Sequence, residues 1–219
     1  MPLLQRLASP ADDARLRASL APFTSLTAPP PALYSCRMTA RRIVLGMQVS
    51  LDGFVAGVDD DLSWLMSRTD EELLDAQAEF LEGFDTMIMG RVNYLDQAAH
   101  WPTADEPLAP VLNGFTKLVF STTLERVEWE GTRLATRPPA EEIAELRAEP
   151  GLDIFVAGGA RLAQSLLADG LIDEVRLVVQ PVAIGAGIPL FAREQALDLL
   201  EVQRLASGAL VTTYSVVHP

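Results

Sequence analysis

The 219-residue chain is 49% hydrophobic and carries 30 acidic against 17 basic residues, a formal charge of −13. That balance excludes phosphate-backbone binding, which needs a positive surface, and gives little attraction to anionic membranes. One cysteine, Cys36, excludes an intrachain disulfide and makes the cytoplasm the default address, and no stretch reaches the roughly 18 continuous apolar residues of a spanning helix.

Six of the 15 prolines fall in the first 37 residues, including Pro29-Pro30-Pro31. A weak helix is expected from Pro10 to Leu20, and residues 1–38 are expected to be a disordered or non-native leader upstream of a start at Met38. One domain then spans 40–219. Ile43 to Val49 is a compact apolar run that suits a buried strand. Ser50-Leu51-Asp52-Gly53 reads as a turn with Gly53 free to take a positive φ. Phe54-Val55-Ala56 continues extended up to Gly57 and the acidic turn Asp59-Asp60-Asp61. Thr69 or Asp70 caps a helix running to about Glu82, with Leu73, Leu74, Ala76, Phe80 and Leu81 as its apolar stripe.

Thr86 to Met89 is the next strand, stopped at Gly90. Leu118 to Phe120 is another, followed by the hydroxyl cluster Ser121-Thr122-Thr123. Glu141 to Ala148 is helical. Ile154 to Ala157 is a strand that runs into Gly158-Gly159 and a helix to about Ala168. Val175 to Val179 is a strand whose weak alternation leaves its buried face open. Leu199 to Leu205 and Leu210 to Val217 read as a terminal antiparallel hairpin. This alternation predicts a three-layer α/β fold, its central sheet mostly parallel with an antiparallel C-terminal edge hairpin.

The chemistry is expected at strand ends, where ligands of open sheets gather. At 154–168, two glycines precede a helix, so an anion can reach the first backbone amides without a Cβ in the way. Met89-Gly90-Arg91-Val92-Asn93 offers a glycine, a cation and an amide at a second strand end. Ser121-Thr122-Thr123 offers hydroxyls at a third. Three such ends suit a long anionic ligand. His100 and His218 have no cysteine partners, so no metal site is expected.

Taken in order, Ser50-Leu51-Asp52-Gly53, Met89-Gly90-Arg91, Val119 to Leu124, Val156-Ala157-Gly158-Gly159 and Leu171 to Val175 resemble the dihydrofolate reductase superfamily. The branch they resemble is the C-terminal reductase domain of bacterial riboflavin biosynthesis, and Pro181 to Phe191 is similar to it as well. The resemblance implies a dihydrofolate-reductase-like fold and an NADPH-dependent oxidoreductase similar to 5-amino-6-(5-phosphoribosylamino)uracil reductase. It implies that Gly158 and Gly159 receive the cofactor pyrophosphate, with Ala160, Arg161 and Leu162 opening the helix behind them. By the same likeness Gly90, Arg91 and Asn93 hold the adenosine-side phosphates, and Ser121, Thr122 and Thr123 meet the ribose and its 2′-phosphate. Met47 and Ala56 lie near the nicotinamide, and Gln48, Asp52 and Trp64 face the substrate.

Two catalytic carboxylates are implied, Asp52 and Asp61, either of which can polarise the atom that takes the proton after hydride addition. The plainer reading of Asp61 is a turn residue bonding its own backbone, and that of Trp64 is core. Departures narrow the expectation. Asn93 stands where many relatives carry Thr, and Thr122 where some carry Arg, which weakens the 2′-phosphate clamp and leaves NADH open. Gly114 is followed by Phe115-Thr116, without the arginine that grips folate, so dihydrofolate is not the expected substrate. The expected function is hydride transfer to a small pyrimidine- or pterin-like heterocycle or related carbonyl compound, by a homodimer. The alternative is a non-catalytic, nucleotide-binding homodimeric module of the same fold.

Overall fold

The computed structural model describes residues 40–218, and the expected leader over 1–38, with its weak helix, lies outside them. The strands are β1 (Ile43–Ser50), β2 (Phe54–Ala56), β3 (Phe84–Gly90), β4 (Thr116–Phe120), β5 (Thr132–Leu134), β6 (Asp153–Val156), β7 (Glu174–Gln180), β8 (Ile188–Pro189), β9 (Leu197–Arg204) and β10 (Leu210–Val216). The helices are α1 (Ser63–Met66), α2 (Glu71–Leu81), α3 (Arg91–His100), α4 (Ala109–Gly114), α5 (Pro139–Ala148) and α6 (Ala160–Ala168). Eight strands form one sheet in the order β5-β4-β3-β6-β1-β7-β10-β9, and β2 pairs with β8 separately. From β5 to β7 every pairing is parallel; β10 runs antiparallel to both β7 and β9. The predicted fold class therefore stands: an α/β sheet with an antiparallel edge hairpin.

Alternation along the strands builds the layers. On β1, Ile43 and Leu45 face one side, where α5 and α6 bring Ile143, Leu146, Ala163 and Leu166. Val44 faces the other side, where α2, α3 and α4 bring Leu81, Tyr94 and Leu112. Each face of a strand thus buries its own apolar set, and a one-residue slip would exchange them. The stripe predicted for α2 holds at Leu73 and Leu81, both buried, but Leu74 is 40% exposed. It lies one step round the helix from Leu73, beyond the arc that the sheet covers. Asp70 caps α2 by accepting from Leu73 N at 2.9 Å.

Short elements are what the sequence reading passed over. β5, β8, α1 and α4 are six residues long or less, too short for a period to register. One of them is organised by Lys117, which is fully buried on β4. Its ammonium donates to the carbonyls of Phe115 at 2.8 Å, Asn113 at 3.0 Å and Glu130 at 3.1 Å, and lies 4.4 Å from the Trp129 ring centre. It ties the end of α4 to the turn before β5. Burial pushes its pKa down to about 8 from 10.5, with Glu130 opposing the shift. A folded pKa below the unfolded one means that the unfolded chain binds more protons between pH 8 and 10.5. The Lys117 contribution to stability therefore grows as pH rises through that window. Urea melts should show the midpoint of wild type rising relative to that of Lys117→Met from pH 8 to 10.5; a constant difference would contradict the assignment.

Candidate functional site at the strand carboxyl ends

The order β4-β3-β6-β1-β7 sets the predicted motifs side by side at one edge of the parallel sheet. β4 ends at Phe120, before Ser121; β3 ends at Gly90; β6 ends just before Gly158; β1 leads into Asp52. Sequence-distant glycines meet there. A Cβ built on Gly159 would lie 3.7 Å from Gly90 N and 3.8 Å from Gly90 Cα. One built on Gly158 would lie 3.5 Å from Met47 Cε and 3.6 Å from Asn93 Nδ2. Leu162 borders both Gly90 and Gly159. Six of the predicted cofactor residues, Met47, Gly90, Asn93, Gly158, Gly159 and Leu162, thus form one neighbourhood. Gly158 and Gly159 have φ of 114° and 90°, which other L-residues adopt only under strain.

Two helices begin at this point, α3 at Gly90 and α6 at Gly159, and neither N-terminus has a side-chain cap or an acidic residue in its first turn. The short α1 and α4 also start without cap or acid, whereas the longer α2 has Asp70, Glu71 and Glu72 at its start and α5 has Glu141 and Glu142. At the converging pair, Arg91 and Arg161 occupy the first turns and both are exposed. A cation at a helix N-terminus opposes the helix dipole, unless an anion sits between them. Asn93 accepts from Gln97 through Oδ1 at 2.6 Å, which leaves its Nδ2 toward Gly158 as a donor. Ser121 spends its hydroxyl oxygen on the amides of Thr123 and Leu124, at 3.1 and 2.9 Å, whereas Thr122 and Thr123 stay exposed.

The acidic candidates have other tasks. Asp52 accepts from Ser50 Oγ at 2.6 Å, Gly185 N at 2.8 Å and Ile184 N at 3.2 Å. These bonds, the Ser50 hydroxyl foremost, hold its carboxyl below the usual carboxylate range. Asp52 thereby fastens the loop 181–187 over the turn that follows β1, helped by Leu51 N donating to Val182 O at 2.7 Å. Gly187, at φ 151°, lies so close to the Ala56 carbonyl that no side chain fits. Ala56 itself is buried in the β2–β8 pair. Asp61 accepts from Ser63 N at 2.9 Å and Ser63 Oγ at 3.0 Å, which again lowers its pKa, the backbone bond most. That is the plainer reading of Asp61, a turn residue at the start of α1. Trp64 is half-buried, and its indole N–H is closed off without a hydrogen-bond partner.

A cavity of about 260 Å³ lies elsewhere, lined by Glu79, Phe80, Arg176, Glu201 and Gln203 among others, and it touches none of the predicted site residues. Gln180 was not among the predicted site residues. It ends β7, is 1% exposed, and donates through Nε2 to Gln48 Oε1 at 2.9 Å. The available signal was a polar residue closing an apolar strand beside the predicted turn. Among the described residues no group of histidine, cysteine, aspartate and glutamate could hold a metal ion. No helix among them is long and apolar enough to cross a membrane.

The model of the RibD C-terminal domain family matches residues 41–211. The chain belongs to this family. It is 30% identical over 182 residues to YyaP of Bacillus subtilis (strain 168), covering 80% of this chain and 94% of that one. It is 26% identical to the riboflavin biosynthesis protein RibD of Corynebacterium ammoniagenes, covering 82% of this chain but 56% of that protein. A crystal structure of a putative riboflavin biosynthesis protein from Shewanella sp. PV-4 superposes with a TM-score of 0.66 at 25% identity, covering 81% and 99% of the two chains. A pyrimidine reductase-like protein from Corynebacterium diphtheriae has the same fold, with a TM-score of 0.60 at 13% identity and coverage of 82% and 93%. The expected resemblance is thereby confirmed.

Proposed function

We propose that this RibD-type domain is an NAD(P)H-dependent reductase of a small pyrimidine-like heterocycle or a related carbonyl compound. The observation that carries the reading is the meeting of two uncapped helix N-termini at Gly90 and Gly159, each followed by an exposed arginine. Unpartnered first-turn amides, glycines without a Cβ and flanking guanidinium groups make a donor set that fits a dinucleotide pyrophosphate. The amides of Ala160, Arg161 and Leu162 face it on one side, with Gly90 and Arg91 on the other. Thr122 and Thr123 keep hydroxyls for the ribose end, and Met47 and Ala56 border the nicotinamide end. When bound, the nicotinamide supplies a hydride. Gln48 and Trp64 orient the acceptor, and the loop that Asp52 fastens shields it from water.

NADPH is the expected cofactor, with NADH admitted by Asn93 and Thr122, and the address is the cytoplasm. The names of the structural relatives, pyrimidine reductase-like among them, support the substrate class. A second reading, nucleotide binding without turnover, is favoured by one observation. Asp61 is bonded within its own turn and Asp52 to Ser50 and the 181–187 loop, and these bonds hold both carboxyls below the usual carboxylate range, so neither is a ready proton donor. Oxidation of NADPH at 340 nm, with a panel of aminopyrimidinediones, pterins and flavins, separates the two. Turnover that persists in Asp52→Asn would assign Asp52 to the loop; loss of turnover with NADPH binding kept would assign it to catalysis.

Pairing of two copies is proposed as well. β9 is an edge strand whose Leu199, Leu200 and Val202 are 44, 47 and 50% exposed, interspersed with the exposed Asp198, Glu201 and Arg204, and an open strand edge can pair with a second copy. Sedimentation should give a dimer that Val202→Lys converts to monomer; a wild-type monomer would remove the proposal.

A further inference from the structure

Gln48 and Gln180 form an amide pair that the strand-end motifs do not explain. β1 and β7 pair in parallel with Gln48 opposite Val178 and Ser50 opposite Gln180, so both amides rise from one face, a single pleat apart. It is the α2 face, because Val178 packs there against the cluster that holds Leu73 of α2. Gln180 is 1% exposed, its Nε2 donates to Gln48 Oε1, and its own Oε1 is buried with no partner. Gln48 is half-buried, and its side chain makes no other hydrogen bond among the described residues.

Packing alone does not account for a glutamine at 180. A buried polar atom left unsatisfied costs about 1–3 kcal/mol, which methionine at the same site would avoid. Val178, on the same face two residues earlier, shows what packing by itself selects. The orientation also has a reason. An under-satisfied carbonyl is tolerated better than an orphaned N–H, so Gln180 spends its nitrogen on Gln48 and leaves its oxygen unpaired. Gln48 Oε1 is then occupied, and its Nε2 is the group left to face the site.

We propose that Gln180 is a positioning residue that locks Gln48 with its amide nitrogen outward, so that the site reads a ring carbonyl on the substrate. The proposal rests on the reductase reading of the strand ends and adds the polarity with which the substrate is recognised. Gln180 does not touch the substrate; Gln48 does. A site built in this way accepts a dioxopyrimidine and discriminates against the same ring with amino groups in place of carbonyls, which leave a donor facing a donor.

The test compares 5,6-diaminouracil with 2,4,5,6-tetraaminopyrimidine by calorimetry, with and without NADPH, alongside a direct NADPH titration. Wild type should favour the dione by at least about tenfold. Gln180→Met should keep NADPH affinity and bring the preference to within about threefold. Gln180→Glu offers only acceptors, so it should turn the Gln48 amide round and favour the tetraamine. A structural role alone would lower the melting temperature of Gln180→Met and leave the preference intact, which would overturn the proposal. Failure of wild type to bind the dione, or to prefer it, would overturn it too. Failure to bind NADPH while the dione preference follows residue 180 would instead sink the reductase reading and leave the Gln180 assignment standing.

Discussion

Glu142→Ala should lower folding stability by about 3–5 kcal/mol, a large share of the roughly 5–15 kcal/mol that holds a domain folded. Glu142 lies on α5 with its carboxylate fully enclosed. It accepts from Thr136 N at 2.9 Å and Arg137 N at 3.2 Å, and pairs with Arg133 at 2.7 Å. Burial by itself would raise its pKa, but the Arg133 guanidinium and the two amides override burial and bring it down to about 2. Removing the carboxylate leaves two amides and a guanidinium without their acceptor, a larger loss than the pair itself is worth. The pH sign follows from the depressed value. The contribution is complete above the unfolded pKa of 4.5 and is lost as pH falls through about 2. Chemical melts at pH 7 and pH 3 should show a wild-type advantage over Glu142→Gln that shrinks at the lower pH. An advantage that stays constant would mean that the carboxylate is not held as described.

Gly159→Val should reduce NADPH affinity by at least about tenfold, or about 1.4 kcal/mol, while the protein still folds. Valine at φ 90° carries strain of about 1–3 kcal/mol, within the reserve of a folded domain. Its Cβ would point at Gly90, at 3.7 Å from the amide nitrogen, and the branched methyl groups would fill the gap between the two helix starts. The variant should melt a few degrees lower and leave NADPH fluorescence unchanged on titration. Wild-type affinity in a folded Gly159→Val protein would place the pyrophosphate somewhere else.

The fold was readable where periodicity was long and glycine punctuation clear. β1, β3, β6 and the β9–β10 hairpin appear within a few residues of expectation, because each couples a run of alternating or continuous apolar residues to a turn signal such as Gly53, Gly90 or Gly158. α6 was expected as a helix after Gly158-Gly159, and the starting point it shares with α3 was invisible. Nothing in the local spacing of Gly90 and Gly159 says that β3 and β6 are neighbours in the sheet; the crossover that places β6 between β3 and β1 does. Lys117 and Glu142 were unreadable for a related reason. A buried charge looks like a surface charge until its carbonyl or guanidinium partners are in place, and those come from other elements.

The candidate site divides in the same way. The cofactor half was visible as glycine-bearing strand ends, and the geometry joins six of those residues. Asp52 was singled out by its place in the Ser50–Gly53 turn, but its partners Ile184 and Gly185 lie more than 130 positions away, so its hold on the 181–187 loop was not readable. Gln180 had no motif to announce it.

In the proposed function a pyridine dinucleotide lies across the meeting point of α3 and α6. This placement is tested most directly by titrating NADPH against wild-type protein and following nicotinamide fluorescence at low and at moderate salt. One saturable site per chain is expected, weakening with salt if the exposed Arg91 and Arg161 hold the phosphates as proposed. Absence of saturable binding up to about 500 µM, an affinity weaker than about −4.5 kcal/mol, would contradict it.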